Sequence, residues 1–529
     1  MRRKHSLLFP VILVCLSATF RAEATTYTVK PSGGNYTTIQ ACANVAAAGD
    51  TCTIYAGTYA GWTQSKSGSS GSPITFTANT GNTITVTSSI TISSVGYITI
   101  SYLALQAAIN GDSATNHCII DHNTATNTPL FANPYVTTQA AGAAYTSTDN
   151  VISNNTVTYS SPTPGVIIQL YGNRNRIENN TISGEGDDCM DLGGANVVVR
   201  GNYCYNVNGT QSSGSNHIDF VQNIGGAAPT LTQSLIEHNV EQNCTNDAGN
   251  CHFVITRTNG GNGSVGNSDN LIIRYNYAQN MDGMGFDIGG VGDDVTNAHI
   301  YNNTVATEGL DAANGAGATL YSDSCSPCAA GVVLNNIFYD VTAASTAWSP
   351  VAGNNSGDVA MENGNLTYDV GYAGNFGSPY STEATYAALH SKNPNFANYP
   401  TDGTLQAGSP AIGAAVALTT VASSDSGSGT SLIVNDARFF QPGWGDTNAD
   451  WIRVGSSTTV QISAINYTTN TITLVSGISR SSGNPVYLYK DSAGNVVLPG
   501  ANPDIGAYPY SAASAAAPAP PTNLAGVGH

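Results

Sequence analysis

The phrase SLIEHNV at residues 234–240 recurs along the chain with the same order of residue types. Apolar and polar residues alternate up to an asparagine, which is the pattern of a short strand that ends in a turn. Asparagine suits such a turn because it tolerates left-handed backbone geometry and hydrogen-bonds the backbone. Seven further copies occur: CIIDHNT (118–124), VISNNTV (151–157), RIENNTI (176–182), VVVRGNY (197–203), LIIRYNY (271–277), AHIYNNT (298–304) and VVLNNIF (332–338).

The last asparagines of successive copies are 22 to 37 residues apart. A fixed phrase with irregular gaps indicates one repeated unit whose connecting loops differ in length. Stacked units would each cover the hydrophobic face of the last and would bring the asparagines into a ladder. We therefore predict an all-β solenoid with this ladder: Asn123, Asn155, Asn180, Asn202, Asn239, Asn276, Asn303 and Asn336.

This pattern resembles the right-handed parallel β-helix proteins of the pectate-lyase-like superfamily. Residues 27–59 resemble the capping helix and first coils of that group, and LQAGSPAIGAA (405–415) with NPDIGAY (502–508) resembles its closing strands. The resemblance implies a right-handed parallel β-helix with an N-terminal capping helix. It also implies an extracellular polysaccharide as the partner.

The ends and one interruption divide the chain. The chain starts with basic residues, continues with an apolar run at 6–20 and then reads Ala22-Glu23-Ala24. This pattern predicts a signal peptide at 1–24 and hence a secreted or periplasmic protein. No other segment is apolar enough to span a membrane. We expect the β-helix at 25–415 and its closing strand at 502–510. Residues 416–501 alternate like antiparallel strands and predict a small inserted β module, and the Ala/Pro-rich residues 511–529 predict a flexible tail.

Charge and cysteine content narrow the class of protein further. The formal net charge is −18, which argues against a nucleic acid or an anionic membrane as partner. Nine cysteines follow the predicted signal peptide, and export makes disulfides the expected state. Close spacing predicts Cys42–Cys52, Cys189–Cys204, Cys244–Cys251 and a tight Cys325–Cys328 bridge, and an odd number leaves at least one thiol unpaired.

A second strand is expected upstream of the phrase in each coil. We align VIIQLYG (166–172), CMDLGG (189–194), HIDFVQ (217–222), HFVITR (252–257) and GFDIGG (285–290) by their apolar alternation. Neighbouring coils lie roughly 4.8 Å apart, so stacked carboxylates would repel and would favour a cation or a shifted pKa. One exposed column is then predicted to contain Gln169, Asp191, Asp219, Val254 and Asp287, and the next to contain His217 and His252.

Three functions fit this column. The first is β-elimination on an acidic glycan, in which Asp187, Asp188, Asp191 and Asp219 hold Ca²⁺, one of His217, His252 and Arg257 is the base, and Asp287 orients the substrate. The second is glycoside hydrolysis by two aspartates, since Gly186-Asp-Asp-Cys-Met190 resembles a segment of polygalacturonase-like hydrolases. The third is a non-catalytic glycan-binding or adhesin-like surface.

Another charged column is expected to serve structure alone. The residue two before the ladder asparagine alternates in sign over four coils, which predicts a surface ion-pair ladder: Glu178, Arg200, Glu237 and Arg274.

Overall fold

The computed structural model describes residues 23–132, 147–160, 166–184, 188–207, 218–224, 231–244, 251–257, 269–288, 297–308, 316–320, 331–341, 351–353, 359–368, 389–399 and 402–510. These residues form a right-handed parallel β-helix with three long parallel sheets and a small antiparallel module near the C-terminus. The fold class predicted from the repeated phrase is therefore confirmed. The predicted signal peptide, the Cys325–Cys328 bridge and the Ala/Pro-rich tail fall outside the described residues, except for residues 23 and 24.

Sheet 1 contains the strand of the repeated phrase, and sheet 2 follows it in each coil. The strands of sheet 1 are Thr26–Val29, Thr51–Ile54, Ile74–Ala78, Ile98–Ser101, Ile119–Asp121, Val151–Ser153, Arg176–Glu178, Val198–Arg200, Leu235–Glu237, Ile272–Arg274, His299–Tyr301, Gly331–Leu334 and Val359–Asn363. Those of sheet 2 are Gly57–Tyr59, Ile84–Val86, Ala104–Leu105, Thr124–Thr126, Thr156–Thr158, Thr181–Ser183, Tyr203–Val207, Val240–Cys244, Tyr277–Met281, Thr304–Glu308, Ile337–Val341 and Leu366–Tyr368.

Sheet 3 is the second strand predicted for each coil. Its strands are Ile90–Thr91, Ile109–Asn110, Phe131–Ala132, Ile168–Tyr171, Met190–Ala195, Ile218–Ile224, Cys251–Arg257, Met284–Ile288, Ala316–Leu320 and Val351–Gly353, and Leu231–Thr232 pairs with Met190–Ala195 beside them. The inward residues of all three sheets form one apolar core along the solenoid.

The predicted ladder is present between sheets 1 and 2. Asn180 Oδ1, for example, accepts the Asn155 backbone N–H at 3.0 Å and its side-chain N–H at 2.9 Å, and Asn155 in turn donates to the Ile120 carbonyl at 2.9 Å. The ladder continues one coil further than predicted, to Asn365. The residue before each ladder asparagine has a positive φ: His122, Asn154, Asn179, Gly201, His238, Tyr275, Asn302, Asn335 and Gly364. The left-handed residue makes the turn, and the asparagine that follows it satisfies the backbone groups that the turn exposes.

The two ends of the described solenoid are closed differently. At the N-terminal end the predicted helix spans Ile39–Val45, and the Thr38 side chain caps it by accepting the Ala41 N–H. At the other end an antiparallel pair, Phe396–Asn398 with Asp402–Leu405, precedes the module. Across the described residues we find no helix with the length and apolar composition that a membrane crossing requires.

The module is a six-stranded antiparallel sheet that packs on the outer face of sheet 1. Its strands are Thr419–Thr420, Gly427–Ile433, Trp451–Val454, Thr458–Asn466, Thr471–Arg480 and Pro485–Lys490. After it, the chain returns to the solenoid, where the Gly506 N–H donates to the Asn335 carbonyl at 2.9 Å.

The expectation that the ion-pair ladder lies on the surface is wrong, because the module covers it. Arg274 is fully buried and donates to Glu237 and, through both terminal nitrogens, to Asp450 of the module, each at 2.8 Å. Ser492, also from the module, donates to Glu237. The alternating charges do pair, as Arg200 lies 2.7 Å from Glu178. The ladder therefore anchors the module as well as pairing neighbouring coils.

Three of the predicted disulfides are present: Cys42–Cys52, Cys189–Cys204 and Cys244–Cys251. Cys244–Cys251 joins the end of a sheet 2 strand to the start of the sheet 3 strand that contains His252, and Cys189–Cys204 joins the residue before Met190–Ala195 to the second residue of Tyr203–Val207. Cys118 is a free thiol buried in the core.

Candidate functional site

The site lies where three neighbouring strands of sheet 3 begin. In the observed register Asp219 pairs with His252, and His252 pairs with Met284 on the following coil. The pairing residues of parallel strands are side by side, at a strand spacing of about 4.8 Å. The histidine and the aspartate that sequence alignment placed in separate columns are therefore direct neighbours.

The alternation of side chains breaks within the strand Ile218–Ile224. Gln222 Nε2 donates to Asp219 Oδ2 at 3.1 Å. Residues three apart in a regular strand point to opposite faces, so this hydrogen bond requires a local departure from alternation. The adjacent residues Phe220 and Val221 are both in the core, and the Phe220 ring stacks there on that of Phe253 at 4.8 Å. These two apolar side chains thus leave the polar ones on the other face.

The imidazole of His252 is held between two carboxylates. Its Nδ1 lies 2.8 Å from Asp219 Oδ1, and its Nε2 lies 3.8 Å from Asp287 Oδ2. An ionised carboxylate only accepts hydrogen bonds, so Nδ1 carries a proton and Nε2 is the nitrogen able to exchange one. The His252 side chain is 5% exposed and both aspartate side chains are fully buried. The expectation that these groups lie on an exposed sheet is therefore wrong.

Asp188 supports the start of this strand from the preceding coil. Its Oδ1 accepts the backbone N–H of Asp219 at 2.9 Å, and the Cys189 N–H donates to the Asp219 carbonyl at 2.8 Å. Asp188 therefore fixes the backbone that positions the Asp219 carboxylate.

The predicted column of aspartates is wrong in its register. Asp191 pairs with Gln169 on one side and with Gln222 on the other, rather than with Asp219. Asp287 pairs with Ile255 rather than with Val254. Apolar alternation fixes only the parity of a strand, and the adjacent core residues Phe220 and Val221 break that parity.

Asp191 instead lies in the column of Gln222, Ile255 and Asp287. The Tyr171 hydroxyl donates to Asp191 Oδ2, and Gln169 Nε2 lies 3.4 Å from the same oxygen. The neutral donors Tyr171 and Gln169 are thus neighbours of Asp191 in the structure, whereas the alignment of the coils had placed the carboxylate of Asp219 beside it.

The remaining predicted site residues are not placed. His217 and Asp187 lie outside the described residues. Arg257 ends its strand opposite Ile224, and its side chain also lies outside the described part.

The Ca²⁺ site stays a prediction, because Asp187, one of its four predicted ligands, lies outside the described residues. Within them, no group of three or more His, Cys, Asp or Glu side chains is arranged to hold a metal ion. Asp188 and Asp219 already use carboxylate oxygens for hydrogen bonds within the site, and Asp191 lies on another column.

Glu241 is a buried acid of the site region that the sequence alignment missed. It lies on sheet 2 between Cys204 and Ala278, in the column of core residues, and is fully buried. Neither carboxyl oxygen has a hydrogen-bond partner within the described residues. The ladder would have revealed it, because the residue two after each asparagine faces the core: Ala125, Val157, Ile182, Cys204, Glu241, Ala278, Val305 and Phe338.

The environment of Glu241 keeps it uncharged. Burial raises its pKa well above the usual value of 4.5, and the negative charge of Asp219 raises the pKa further. Asp219 is thus close enough for its negative charge to disfavour ionisation of Glu241.

Neither a protein-family model nor a curated protein matches the chain. Among solved structures, pectate lyase Pel9A is similar at 15% identity and a TM-score of 0.38, over 75% of this chain and 92% of that one. The PL6 family alginate lyase AlyGC is 13% identical with a TM-score of 0.30, over 64% of this chain and 51% of its own. PfbA, a surface adhesin of Streptococcus pneumoniae, is 9% identical with a TM-score of 0.29, over 61% of this chain and 76% of its own.

These similarities concern the fold alone. The resemblance to pectate-lyase-like β-helix proteins is confirmed by the three parallel sheets and the ladder between two of them. The activity has to be argued from the residues of the site.

Proposed function

We propose that the protein cleaves an acidic polysaccharide by β-elimination, with His252 as the base. The carrying observation is the imidazole held at Nδ1 by Asp219, with Nε2 as its proton-exchanging atom. Elimination removes the proton next to the sugar carboxylate, breaks the bond to the neighbouring glycosidic oxygen and leaves a carbon–carbon double bond. A histidine oriented by a carboxylate suits the role of base, and its imidazolium can pass the proton on to the leaving oxygen.

The two aspartates have distinct roles in this proposal. Asp219 holds the tautomer and stabilises the imidazolium that forms when Nε2 takes the proton. Asp287, 3.8 Å from Nε2, receives a hydrogen bond from that imidazolium after a small movement. Because the imidazole is only 5% exposed, the proposal requires that the groups covering His252 move before a sugar ring can reach it.

Hydrolysis by Asp219 and Asp287 fits the arrangement less well. A pair of catalytic carboxylates flanks the scissile bond and, in inverting enzymes, leaves room for a water molecule. Here the His252 ring occupies the space between the two carboxylates. The sugar acetal would have to displace it.

Secretion and calcium enter the proposal on different grounds. The three disulfides support an oxidising location outside the cytosol. Calcium stays a prediction from the neighbouring aspartates of the sequence, and no step above depends on it.

The test is a panel of acidic and neutral polysaccharides, each assayed with Ca²⁺ and with a chelator. Wild type, His252→Ala and Asp219→Ala are compared, and His122→Ala serves as the matched control because His122 also contacts a carboxylate, Asp121, at 2.6 Å but lies partly exposed on another face. We expect an ultraviolet-absorbing unsaturated product that both site variants lose by a factor of about 10² or more and the control retains.

The other outcomes are equally informative. New reducing ends without that absorbance would show that the protein is a hydrolase rather than a lyase. No product from any polymer, with all variants folded, would refute catalysis and leave a glycan-binding scaffold. Loss on chelation in the wild type would support the calcium prediction.

A further inference from the structure

A group of aromatic rings and one lysine lies on the face of the module that points away from the solenoid. Ile452, Val454, Val486 and Leu488 are buried in the core shared with sheet 1. Because side chains alternate along a strand, their neighbours point to the opposite face. We call this group the lysine patch, and it consists of Trp451, Tyr487, Tyr489 and Lys490, each partly exposed.

A β-bulge gathers the patch. Ile452 pairs with Leu488, but Trp451 pairs with Lys490, so Tyr489 is an extra residue in its strand. Bulges turn side chains to new directions. Here the bulge brings Lys490 Nζ to 5.3 Å from the centre of the Trp451 ring and 5.9 Å from that of Tyr489.

Lys490 is the cation of this patch that remains available to a ligand. The neighbouring Arg453 is buried, donates to the carbonyls of Gly500 and Ala501, and stacks on Tyr487. No carboxylate of the described residues lies within ion-pair distance of Lys490, although the chain carries a net charge of −18. The module arginines Arg438 and Arg480, by contrast, are paired with aspartates.

We propose that the lysine patch binds an acidic polysaccharide. Trp451 and Tyr489 offer flat apolar surfaces for the C–H face of a sugar ring, and the Lys490 ammonium pairs with the sugar carboxylate. The choice of an acidic sugar rests on the proposed function, but the patch is a separate site on the module. Binding there would hold a polymer on the protein and raise its concentration near sheet 3.

The experiment measures binding separately from cleavage. Full-length His252→Ala protein, which cannot degrade the probe under the proposed mechanism, is titrated with polygalacturonate, with alginate and with neutral dextran. Lys490→Gln and Trp451→Ala are each introduced singly into the His252→Ala protein. Lys392→Gln in the same protein is the matched control, because Lys392 is an exposed lysine outside the module.

We expect Lys490→Gln to weaken binding of at least one anionic polymer about tenfold at low salt and less at high salt. Trp451→Ala should weaken it at least as much, Trp451→Phe should restore most of it, and Lys392→Gln should stay within about twofold. Far-ultraviolet circular dichroism and the melting temperature confirm that each variant is folded.

Three results would overturn the proposal. They are equal losses for Lys490→Gln and Lys392→Gln, equally tight binding of dextran, and a change of oligomeric state on Trp451→Ala, which would assign the patch to a second copy of the chain. Patch-dependent binding with no cleavage of any polymer by the wild type would refute the proposed function alone. Cleavage of polymers without patch-dependent binding would refute the patch alone.

Discussion

Replacing Glu241 by glutamine should make the protein more stable, by an amount that grows with pH. Glu241 is fully buried in a core column and has no hydrogen-bond partner within the described residues. Burial, and then the charge of Asp219, raise its pKa well above 4.5. The folded protein therefore keeps the proton that the unfolded chain releases above pH 4.5.

The sign and size follow from proton linkage. The stability associated with neutral Glu241 is complete below the unfolded pKa and is lost as the pH rises toward the folded pKa. The loss is about 1.4 kcal/mol for each pH unit between 4.5 and the raised pKa of the folded protein. Glutamine has the same shape and does not ionise, so Glu241→Gln escapes this loss.

The assay is equilibrium urea denaturation of the disulfide-intact protein at several pH values from 4 to 7, followed by tryptophan fluorescence. Wild type and Glu241→Gln should have similar free energies of unfolding near pH 4 and diverge above it. Asp402→Asn is the control because Asp402 is partly exposed and lies outside the predicted signal peptide, and its difference from wild type should vary little with pH. A flat difference for Glu241→Gln as well would show that the carboxyl ionises without penalty, and the reasoning would fail.

Three further predictions concern the structure that supports the site. Arg274→Met leaves Glu237 and Asp450 buried without their cation and should lower the free energy of unfolding by about 3–5 kcal/mol. The control Arg438→Met breaks a partly exposed pair and should lower the free energy of unfolding by at most about 1 kcal/mol. Equal effects of the two variants in thermal denaturation would contradict the buried ladder. Asn239→Ala removes the acceptor of two Asn202 N–H groups and should destabilise the protein by about 3 kcal/mol. The control Asn435→Ala, at an exposed residue, loses one hydrogen bond to Thr420 and should have a small effect. Similar denaturant midpoints for the two variants would refute the contribution of the ladder to stability. Burial raises the pKa of Asp491, but the hydrogen bond to His238 and the neighbouring charges outweigh burial and lower this pKa from 3.8 to about 2. The stability that ionised Asp491 contributes is therefore complete above pH 3.8, and about 2 kcal/mol of it should be lost as the pH falls through 2. Acid denaturation of Asp491→Asn should lack this pH dependence.

The repeated phrase was sufficient to predict the solenoid and its ladder, because both depend on interactions that each turn makes for itself. A left-handed residue followed by asparagine forms the same turn in every coil, and equal turns stack. The three disulfides could be predicted for a similar reason, since a short separation such as that of Cys244 and Cys251 restricts what each thiol can reach.

The candidate site could be predicted in part. Asp219, His252 and Asp287 were identified because polar side chains interrupt apolar strands, and the structure brings these three together. Their partners were wrong, because register across sheet 3 depends on the length and path of the loops between coils. The break in alternation that places Gln222 beside Asp219 is marked in the sequence only by the adjacent apolar residues Phe220 and Val221.

The sequence by itself thus determined the fold, the axis of its ladder and the residue types at the start of sheet 3. The tertiary structure alone decided which of these residues are neighbours and that the charged ladder is buried. The physical reason is distance along the chain. A turn is set by residues a few positions apart, whereas the register of a coil and the docking of Asp450 on Arg274, 176 residues away, are set by the packing of whole elements.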